Sequence, residues 1–287
     1  MKKSIKLILI LICTSCSQEV EIRSFEEMYS MKPELYDDGG ILTETKDTSL
    51  LAFGDYYTED NVIYIPNRTF LYRYKFSNKN GEEYRIRLKD KMDDYGNRRL
   101  FWDYSQESGD SIIAFLRIIP ESRNNTFESD YNQTVIKMEY LDEEKETLGG
   151  WEKTGVIENH GNIWIHPFRQ YFFKILELNP FPHIKNPIEV GNKWFWELSV
   201  GDFWSDERWK KWEGIVKIKF EYEIIGLENI KIDNSRLECW IIEGKGTSEL
   251  GNTRLRSYFN QTEGFVKMEY VNIDGSKLIL EKINERQ

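Results

Sequence analysis

Hydrophobic and polar residues alternate with a period of two along most of the chain, beginning near Val62. This is the pattern of β-strands, whose successive side chains point to opposite faces of a sheet. The clearest example is 70–76, where one face carries only aromatic residues, Phe70, Tyr72, Tyr74 and Phe76. The polar stretch 77–81 then has the composition of a tight turn, and Tyr84, Ile86 and Leu88 follow on one face of a return strand. The segment 70–88 therefore predicts a β-hairpin.

The C-terminal third shows the same alternation. Between 216 and 224 every second residue is apolar and the residues between them are Lys or Glu, which predicts a long strand with one solvated face. Further strands are expected at 100–104, 112–119, 135–140, 239–242, 253–259, 265–270 and 277–283. The predicted fold class is all-β, an antiparallel meander that forms a curved half-barrel or open barrel with one or two short helices.

Helical patterns are scarce. Apolar residues at near-helical spacing in 168–178 stop before Asn179-Pro180, and 25–31 is a second short candidate. The single all-β domain is expected to span 61–287.

The segments 131–140 and 259–270 share the short sequence motifs Asn-Gln-Thr and Lys-Met-Glu-Tyr in the same order. This similarity predicts two pseudo-repeats, 61–150 and 190–283. The alternative is that strand-forming composition favours such words, and unrelated positions of the two segments in the sheet would exclude the repeat.

The N-terminus has the order of a signal peptide. Lys2, Lys3 and Lys6 precede the apolar run 7–12, which is far shorter than the roughly 20 residues that span a bilayer. The residues 12–16, Ile-Cys-Thr-Ser-Cys, resemble a lipobox, although Cys13 stands where that pattern prefers Leu. The resemblance implies cleavage after a signal peptide of residues 1–15, a lipid with palmitate on Cys16, and a tether and spacer over 16–60. Ordinary cleavage and an unprocessed terminus are the alternatives.

The residues that follow Cys16 give information about the cellular location of the protein. Ser17 takes the place of the Asp that retains many lipoproteins in the inner membrane, so the resemblance implies the outer membrane. Glu19 and Glu21 resemble the surface-export signal of some Bacteroidota lipoproteins. Whether the protein faces the periplasm or the outside stays open.

Charge and cysteine content narrow the classes of partner. Loss of residues 1–15 removes three lysines and moves the formal net charge from −10 to −13. Such an excess of acids argues against nucleic acid and against a bare anionic membrane surface as partners. Cys16 and Cys239 are the cysteines after residue 15, which excludes a disulfide framework, and Cys239 is expected to be a buried small hydrophobe.

The C-terminal part carries a further resemblance. Gly191-Asn-Lys-Trp-Phe-Trp196, Glu249-Leu-Gly-Asn252, Tyr258-Phe259 and Gly264-Phe-Val266 are similar to words found in bacterial envelope domains of unknown function. Those domains are curved antiparallel half-barrels, similar in outline to the periplasmic lipoprotein-localisation carriers. A twisted sheet must cover its apolar face, and with few helices to cover it that face could bind an apolar ligand or a protein partner. A closed core is the equal alternative.

The densest aromatic region is 194–212. Trp194 and Trp196 share one face of a predicted strand and are expected in the core, whereas Trp204, Trp209 and Trp212 fall in a predicted loop among acidic residues. Exposed indoles bordered by carboxylates suit sugar rings, so these three are the candidate ligand-binding residues of a glycan-binding surface.

Signals of catalysis are weak. His160, His166 and His183 do not form a His-Glu-x-x-His pattern, and the sequence shows no nucleophile elbow and no Gly-rich phosphate loop. We therefore predict no catalytic residue, no metal site and no cofactor. The favoured function is a non-catalytic outer-membrane lipoprotein that binds an apolar ligand or an envelope protein on its curved sheet. Glycan binding is the alternative, and a glycosidase that uses acid pairs such as Asp202 and Asp206, or Asp93 and Asp94, is third.

Overall fold

The computed structural model describes residues 35–44, 61–92, 98–121, 133–232 and 235–284. The predicted signal peptide, Cys16, the helix candidate 25–31 and the pair Asp93 and Asp94 lie outside these residues. The strands are β1 (Leu35–Asp38), β2 (Ile41–Glu44), β3 (Phe70–Ser77), β4 (Glu83–Met92), β5 (Arg98–Ser105), β6 (Ile112–Ile113), β7 (Phe115–Pro120), β8 (Thr134–Leu141), β9 (Thr147–Glu158), β10 (Asn162–Ile165), β11 (His183–Lys185), β12 (Lys193–Gly201), β13 (Ile215–Ile232), β14 (Ser235–Ser248), β15 (Gly251–Asn260), β16 (Gly264–Val271) and β17 (Lys277–Ile283). Two 3-10 segments, Tyr171–Leu178 and Asp202–Trp204, interrupt them.

The main sheet is an antiparallel meander that is nearly closed into a barrel, which confirms the predicted fold class. Its strand order is β11-β10-β9-β8-β7-β3-β17-β16-β15-β14-β13-β12, so the seam lies between β11 and β12. The predicted hairpin of β3 and β4 is present, but the two strands pair only at 76–77 with 83–84. Beyond that point β4 leaves the barrel and pairs with β5 and β6. The β4–β5 pair is called the flap below.

The segment Tyr171–Leu178, called the plug below, fills the inside of the barrel. It was predicted as a helix over 168–178, and it ends before Asn179-Pro180 as expected. Its apolar side chains Phe172, Phe173, Ile175, Leu176 and Leu178 belong to the same core cluster as the inward faces of the strands. The alternation in β13 places Lys and Glu outside and the aromatic and aliphatic residues inside, as predicted. The apolar face of the sheet is thus covered by the chain itself, so the closed-core alternative describes this barrel.

Part of the predicted spacer 16–60 is folded. The strands β1 and β2 form a hairpin, and the backbone N–H of Leu42 donates to Asn162 Oδ1 over 2.8 Å. The side-chain amides of Asn159 and Asn162 both donate to the Leu42 carbonyl over 2.9 Å. Ile41 is buried in the core cluster. The sequence did not predict this hairpin because its strands have only four residues each, too few for a periodic signal.

The seam is bridged by side chains. The indole N–H of Trp194 on β12 donates to His183 Nδ1 on β11 over 3.0 Å, and both residues are buried. Trp194 also stacks on Tyr222 at an interplanar angle of 3°. Trp194 and Trp196 are therefore core residues, as predicted.

The two repeat segments have similar local surroundings. The word Lys-Met-Glu-Tyr lies at 137–140 in β8 and at 267–270 in β16, each the middle strand of a three-stranded meander. In both copies Met and Tyr are buried, and the Lys Nζ lies 2.6 Å from the Glu carboxylate. These positions are compatible with a repeat, which stays a prediction.

The barrel has two distinct ends. At the first rim lie the turns 78–82, 142–146, 249–250 and 272–276 and the long connection 202–214. The register of the antiparallel strands brings the strand ends that these segments join to the same end of the barrel. At the second rim lie the turns 159–161 and 261–263. Leu35, the first described residue, packs against Gly161, so the described chain begins at the second rim. No helix in the described residues is long and apolar enough to cross a bilayer.

Candidate functional site

A cleft of about 440 Å³ opens at the first rim, between the flap and the connection 202–214. It is lined by Phe76, Asn78, Lys79, Tyr84, Tyr104, Arg208, Trp209 and Asp274. Its volume lies within the range of small-molecule sites, roughly 300–1,000 Å³. The same region was expected from sequence to bind a glycan, but most of these residues were not singled out there. The set is called the aromatic cleft below.

The floor and one wall of the aromatic cleft are aromatic. Phe76, a buried residue of β3, stacks on Tyr104 of the flap with ring centres 5.2 Å apart and an interplanar angle of 17°. Tyr84 lies 5.7 Å from Tyr104. Beneath them Phe172 of the plug approaches Phe76 to 4.2 Å. Because each ring rests on another, the wall has a fixed shape before any ligand binds.

The opposite wall is joined to the flap by a second group of contacts. Trp209 stacks on Trp102 with ring centres 6.1 Å apart and an angle of 12°. The guanidinium of Arg208 lies over the Trp102 ring, and its Nη1 donates to the Trp102 carbonyl over 3.3 Å. The carboxylate of Asp206 accepts hydrogen bonds from Nε and Nη2 of Arg208 over 2.7 and 2.5 Å. This forked pair holds the guanidinium in its plane. Trp102, Asp206, Arg208 and Trp209 are called the clasp below.

Polar groups border the open edge. Asn78 Oδ1 accepts the backbone N–H groups of Asn80 and Glu82, and Asp274 Oδ1 accepts both the N–H and the hydroxyl of Ser276. These local hydrogen bonds fix the two turns that carry the side chains, as Asx turns do. Lys79 is exposed beside them.

The charges at the cleft balance. Lys79, Arg208 and Asp274 line it and Asp206 pairs with Arg208, so two positive and two negative charges lie here, although the chain as a whole is strongly acidic. Burial alone would raise the pKa of Asp206, but the hydrogen bonds from Arg208 outweigh it and hold that pKa below its usual value. Burial raises the pKa of Tyr104, so its hydroxyl is neutral and can donate. The site therefore suits an uncharged ligand with many hydroxyl groups.

The structure separates the three predicted ligand-binding tryptophans. Trp209 lines the aromatic cleft, but Trp212 is buried in the core and Trp204 is half-buried against it. The expectation that all three are exposed is therefore wrong, since Trp209 is also only 6% exposed. The connection 202–214 folds back over the rim, and its indoles cover apolar surface. Phe203 is the exposed aromatic of this segment.

The tyrosines of the cleft were missed. Tyr84 and Tyr104 alternate with charged residues along β4 and β5, which from sequence alone is the pattern of an ordinary inward sheet face. The flap leaves the barrel at residue 84, so this face meets a cleft instead of the core. The nearest sequence signal is the polar stretch 77–81, whose composition indicates only a hairpin turn.

The acid pair Asp202 and Asp206 is occupied by structural contacts. Asp202 Oδ2 accepts the backbone N–H of Gly214 over 3.0 Å, and Asp206 is paired with Arg208. Neither arrangement resembles two carboxyl groups that face each other across a sugar. Within the described ranges, no group of three or more His, Cys, Asp and Glu side chains is arranged to hold a metal ion.

Cys239, His183 and His166 are held among packing and hydrogen-bonding contacts of the fold. Cys239 is fully buried, as predicted, and burial raises the pKa of its thiol to about 12. His183 lies in β11, and burial lowers its pKa to about 3. His166 is half-buried, and it contacts Glu177 of the plug.

No protein-family model and no curated protein matches this chain. Three solved structures share its outline at 11% sequence identity. A protein of Bacteroides fragilis described as exported, with a YmcC-like fold, covers 78% of this chain and 100% of its own at a TM-score of 0.40. The hypothetical lipoprotein YmcC of Escherichia coli covers 84% and 96% at a TM-score of 0.31. A protein of Parabacteroides distasonis described as a lipoprotein covers 79% and 100% at a TM-score of 0.40.

Proposed function

We propose that this protein is a non-catalytic lipoprotein of the bacterial outer membrane that binds a neutral glycan in the aromatic cleft. The observation that carries the proposal is the pairing of a preformed aromatic wall, Phe76, Tyr84 and Tyr104, with polar side chains along one edge of the same cleft. The proposed location in the cell envelope rests on the predicted signal peptide and on the resemblance of residues 12–16 to a lipobox.

The chemistry of a pyranose matches both sides of the cleft. Its axial C–H groups form an apolar face that packs against the electron-rich face of an aromatic ring. Its hydroxyls both donate and accept, and they can meet the Asp274 carboxylate and the Asn78 amide. Because the charges of Lys79, Arg208, Asp206 and Asp274 balance, a sugar without a carboxylate or sulfate fits best.

The cleft and the start of the described chain lie at opposite ends of the barrel. The cleft opens at the first rim, whereas the described chain begins at Leu35 beside Gly161 at the second rim. The first rim is thus the end of the barrel opposite to the point where the described chain begins.

The apolar-ligand hypothesis has less support from the geometry. The plug fills the inside of the barrel, and Phe172, Phe173, Ile175 and Leu176 are fully buried there. A lipid on the concave face would have to displace them, at roughly 1.5–3 kcal/mol for each large apolar side chain exposed. A protein partner at the first rim is the second candidate, because Phe203 of the connection 202–214 is exposed there.

The test is isothermal titration of the purified full chain with neutral oligosaccharides chosen from a glycan array. We expect Tyr104→Ala to weaken binding about tenfold, which corresponds to about 1.4 kcal/mol, the loss of one aromatic platform. Trp151→Ala is the matched control, because Trp151 is exposed on β9 and does not line the cleft. Equal loss in both variants, or no binding by the unmodified protein, would refute the proposal.

A further inference from the structure

A group of polar side chains lies beside the plug, and its two carboxyl groups are buried. Glu177 belongs to the plug, His166 and Arg169 to the connection that leads into it, Glu152 to β9 and Tyr140 to β8. Glu177 and Glu152 are almost completely buried, at 4% and 8% exposure. These five residues are called the latch below. The glycan-binding proposal does not use them directly.

The hydrogen bonds of His166 determine where a proton must lie. His166 Nδ1 is 3.0 Å from the Pro167 carbonyl oxygen, which can only accept, so Nδ1 carries the hydrogen. In the neutral ring Nε2 is then an acceptor, and it faces Glu177 Oε1 at 3.3 Å. Two acceptors cannot bond to each other. A proton on Glu177 resolves the contact, because the carboxylic acid then donates to Nε2.

The burial of both groups favours the same assignment. Burial raises the pKa of Glu177, the charge of Arg169 opposes this, the charge of Glu152 adds to it, and the resulting pKa is about 8. Burial lowers the pKa of His166 to about 3. As a carboxylate, Glu177 Oε1 would be a buried acceptor with no hydrogen-bond partner in the described part of the chain.

Arg169 interacts more closely with Glu152 than with Glu177. Its Nε lies 3.5 Å from Glu152 Oε2, and its backbone N–H donates to Glu152 Oε1 over 3.0 Å, whereas its Nη1 is 4.0 Å from Glu177. Glu152 also accepts the hydroxyl of Tyr140. The charged and titratable groups that face Glu177 are therefore His166, Arg169 and Glu152. Arg169 neutralises Glu152 and leaves little compensation for a second buried carboxylate.

The latch is connected to the floor of the aromatic cleft. Tyr140 OH accepts the backbone N–H of Gln170 over 2.9 Å, directly before the plug. Tyr171 starts the plug at φ +56°, a strained value for a non-glycine residue that surrounding contacts must hold. Phe172 follows, and its ring packs on Phe76 and Tyr104. Movement at the latch would therefore reach the cleft floor within a few residues.

We infer that a proton held on Glu177 keeps the plug in place and thereby controls the aromatic cleft. When Glu177 ionises, its carboxylate faces the His166 lone pair inside the barrel, the base of the plug loosens, and Phe172 no longer supports the cleft floor. The inference concerns regulation of the proposed glycan site and rests on that proposal for its ligand. The plug and its proton can be observed without any ligand.

The test is near-ultraviolet circular dichroism of the full chain from pH 6 to 9.5, together with infrared spectroscopy at pH 6.5. We expect the aromatic signal to change with a midpoint near pH 8, where the pKa of Glu177 lies. Glu177→Gln should remove this transition, since its amide N–H can still donate to His166 Nε2. The carbonyl band of a protonated carboxylic acid should be present in the unmodified protein and absent in Glu177→Gln. Glu221→Gln, on the exposed face of β13, is the matched control and should behave as the unmodified protein does.

The outcomes separate the two proposals. If the unmodified protein shows no such band, or if Glu177→Gln shows the same pH transition, the latch inference is overturned whatever the ligand. If the transition and the band are found as expected but no oligosaccharide binds at pH 6.5, the latch stands and the glycan proposal fails. If sugar binding weakens above pH 8 in the unmodified protein but not in Glu177→Gln, both are supported.

Discussion

The guanidinium carbon of Arg208 lies 3.4 Å from the centre of the Trp102 ring. Arg208 belongs to the connection between β12 and β13, and Trp102 belongs to β5, so this contact joins two segments that are more than 100 residues apart. Asp206 holds the guanidinium from the other side. The width of the aromatic cleft depends on this contact, because the flap forms one wall and the connection forms the other.

Replacement of Arg208 should therefore open the cleft. We expect Arg208→Ala to weaken glycan binding about tenfold, since a cation–π contact and its associated hydrogen bonds contribute about 1–2 kcal/mol. Arg208→Lys should recover little, because an ammonium cannot make the fork to Asp206 and also stack as a plane. Tryptophan fluorescence should report a changed environment for Trp102 in both variants.

The control for this prediction is Arg254→Ala on the exposed side of β15. Binding by this variant should equal that of the unmodified protein. A tenfold loss here as well would show that net charge, and not the clasp, governs affinity.

Gly40 should be required for docking of the N-terminal hairpin. It has φ +108°, and a Cβ at this position would lie 1.9 Å from the Phe195 carbonyl oxygen. We expect Gly40→Ala to displace β1–β2 from β12 and to expose residues 35–44 to limited proteolysis. Gly39→Ala is the matched control, since Gly39 has φ +63° but no atom within 4 Å of the added Cβ. It should cost only about 1 kcal/mol of unfolding free energy. Similar proteolysis of both variants would show that backbone strain, not contact with β12, decides docking.

His183 should make the barrel sensitive to acid. Its Nδ1 accepts the indole N–H of Trp194, and burial lowers its pKa to about 3. The unfolded chain binds a proton near pH 6.5 and the folded chain does not, so this contribution to stability is complete above pH 6.5 and falls as the pH decreases toward 3. Urea denaturation between pH 6.5 and 4.5 should show a loss of up to about 1.4 kcal/mol per pH unit from this residue.

His183→Gln isolates that contribution, because glutamine does not titrate. Its stability at pH 6.5 should be lower, since the seam contact changes, but its slope with pH should be smaller. His166 titrates in the same direction and should account for the slope that persists. An unchanged slope in His183→Gln would contradict the assignment.

Glu158 should stabilise the entry into β3 at the second rim. Its carboxylate accepts the backbone N–H groups of Val62, Ile63 and Tyr64, each over 2.8 Å. Glu158→Ala would leave these donors unpaired, two of them buried, at about 1–3 kcal/mol each. We expect the urea midpoint to fall clearly in Glu158→Ala and less in Glu158→Gln, which retains an acceptor. Glu221→Ala, at an exposed position, should leave the midpoint unchanged.

Much of the fold could be predicted from alternation alone. The inward aromatic residues of β3, the wet face of β13 and the end of the plug at Asn179 are local properties, and the period of two fixes which side chains share a face. The hairpin β1–β2 could not be predicted in this way, because its stability comes from Asn159 and Asn162, more than 100 residues further along the chain.

The candidate site could be predicted only in part. The sequence indicated an aromatic region at 194–212 in which Trp204, Trp209 and Trp212 could bind a glycan, and Trp209 does line a cleft. It could not show that Trp212 turns into the core, or that Tyr84 and Tyr104 complete the wall. Those outcomes depend on where β4 separates from β3, and alternation continues without change across that point.

The sequence by itself determined an all-β chain with a buried Cys239 and strands whose inward faces are apolar, because these are properties of neighbouring residues. The tertiary structure decided that the barrel is filled by its own plug, that the flap leaves the sheet, and that Arg208 meets Trp102 to form a cleft. These features depend on contacts between distant segments. Such contacts are selected by the packing of the whole core, and no local pattern of residues encodes them.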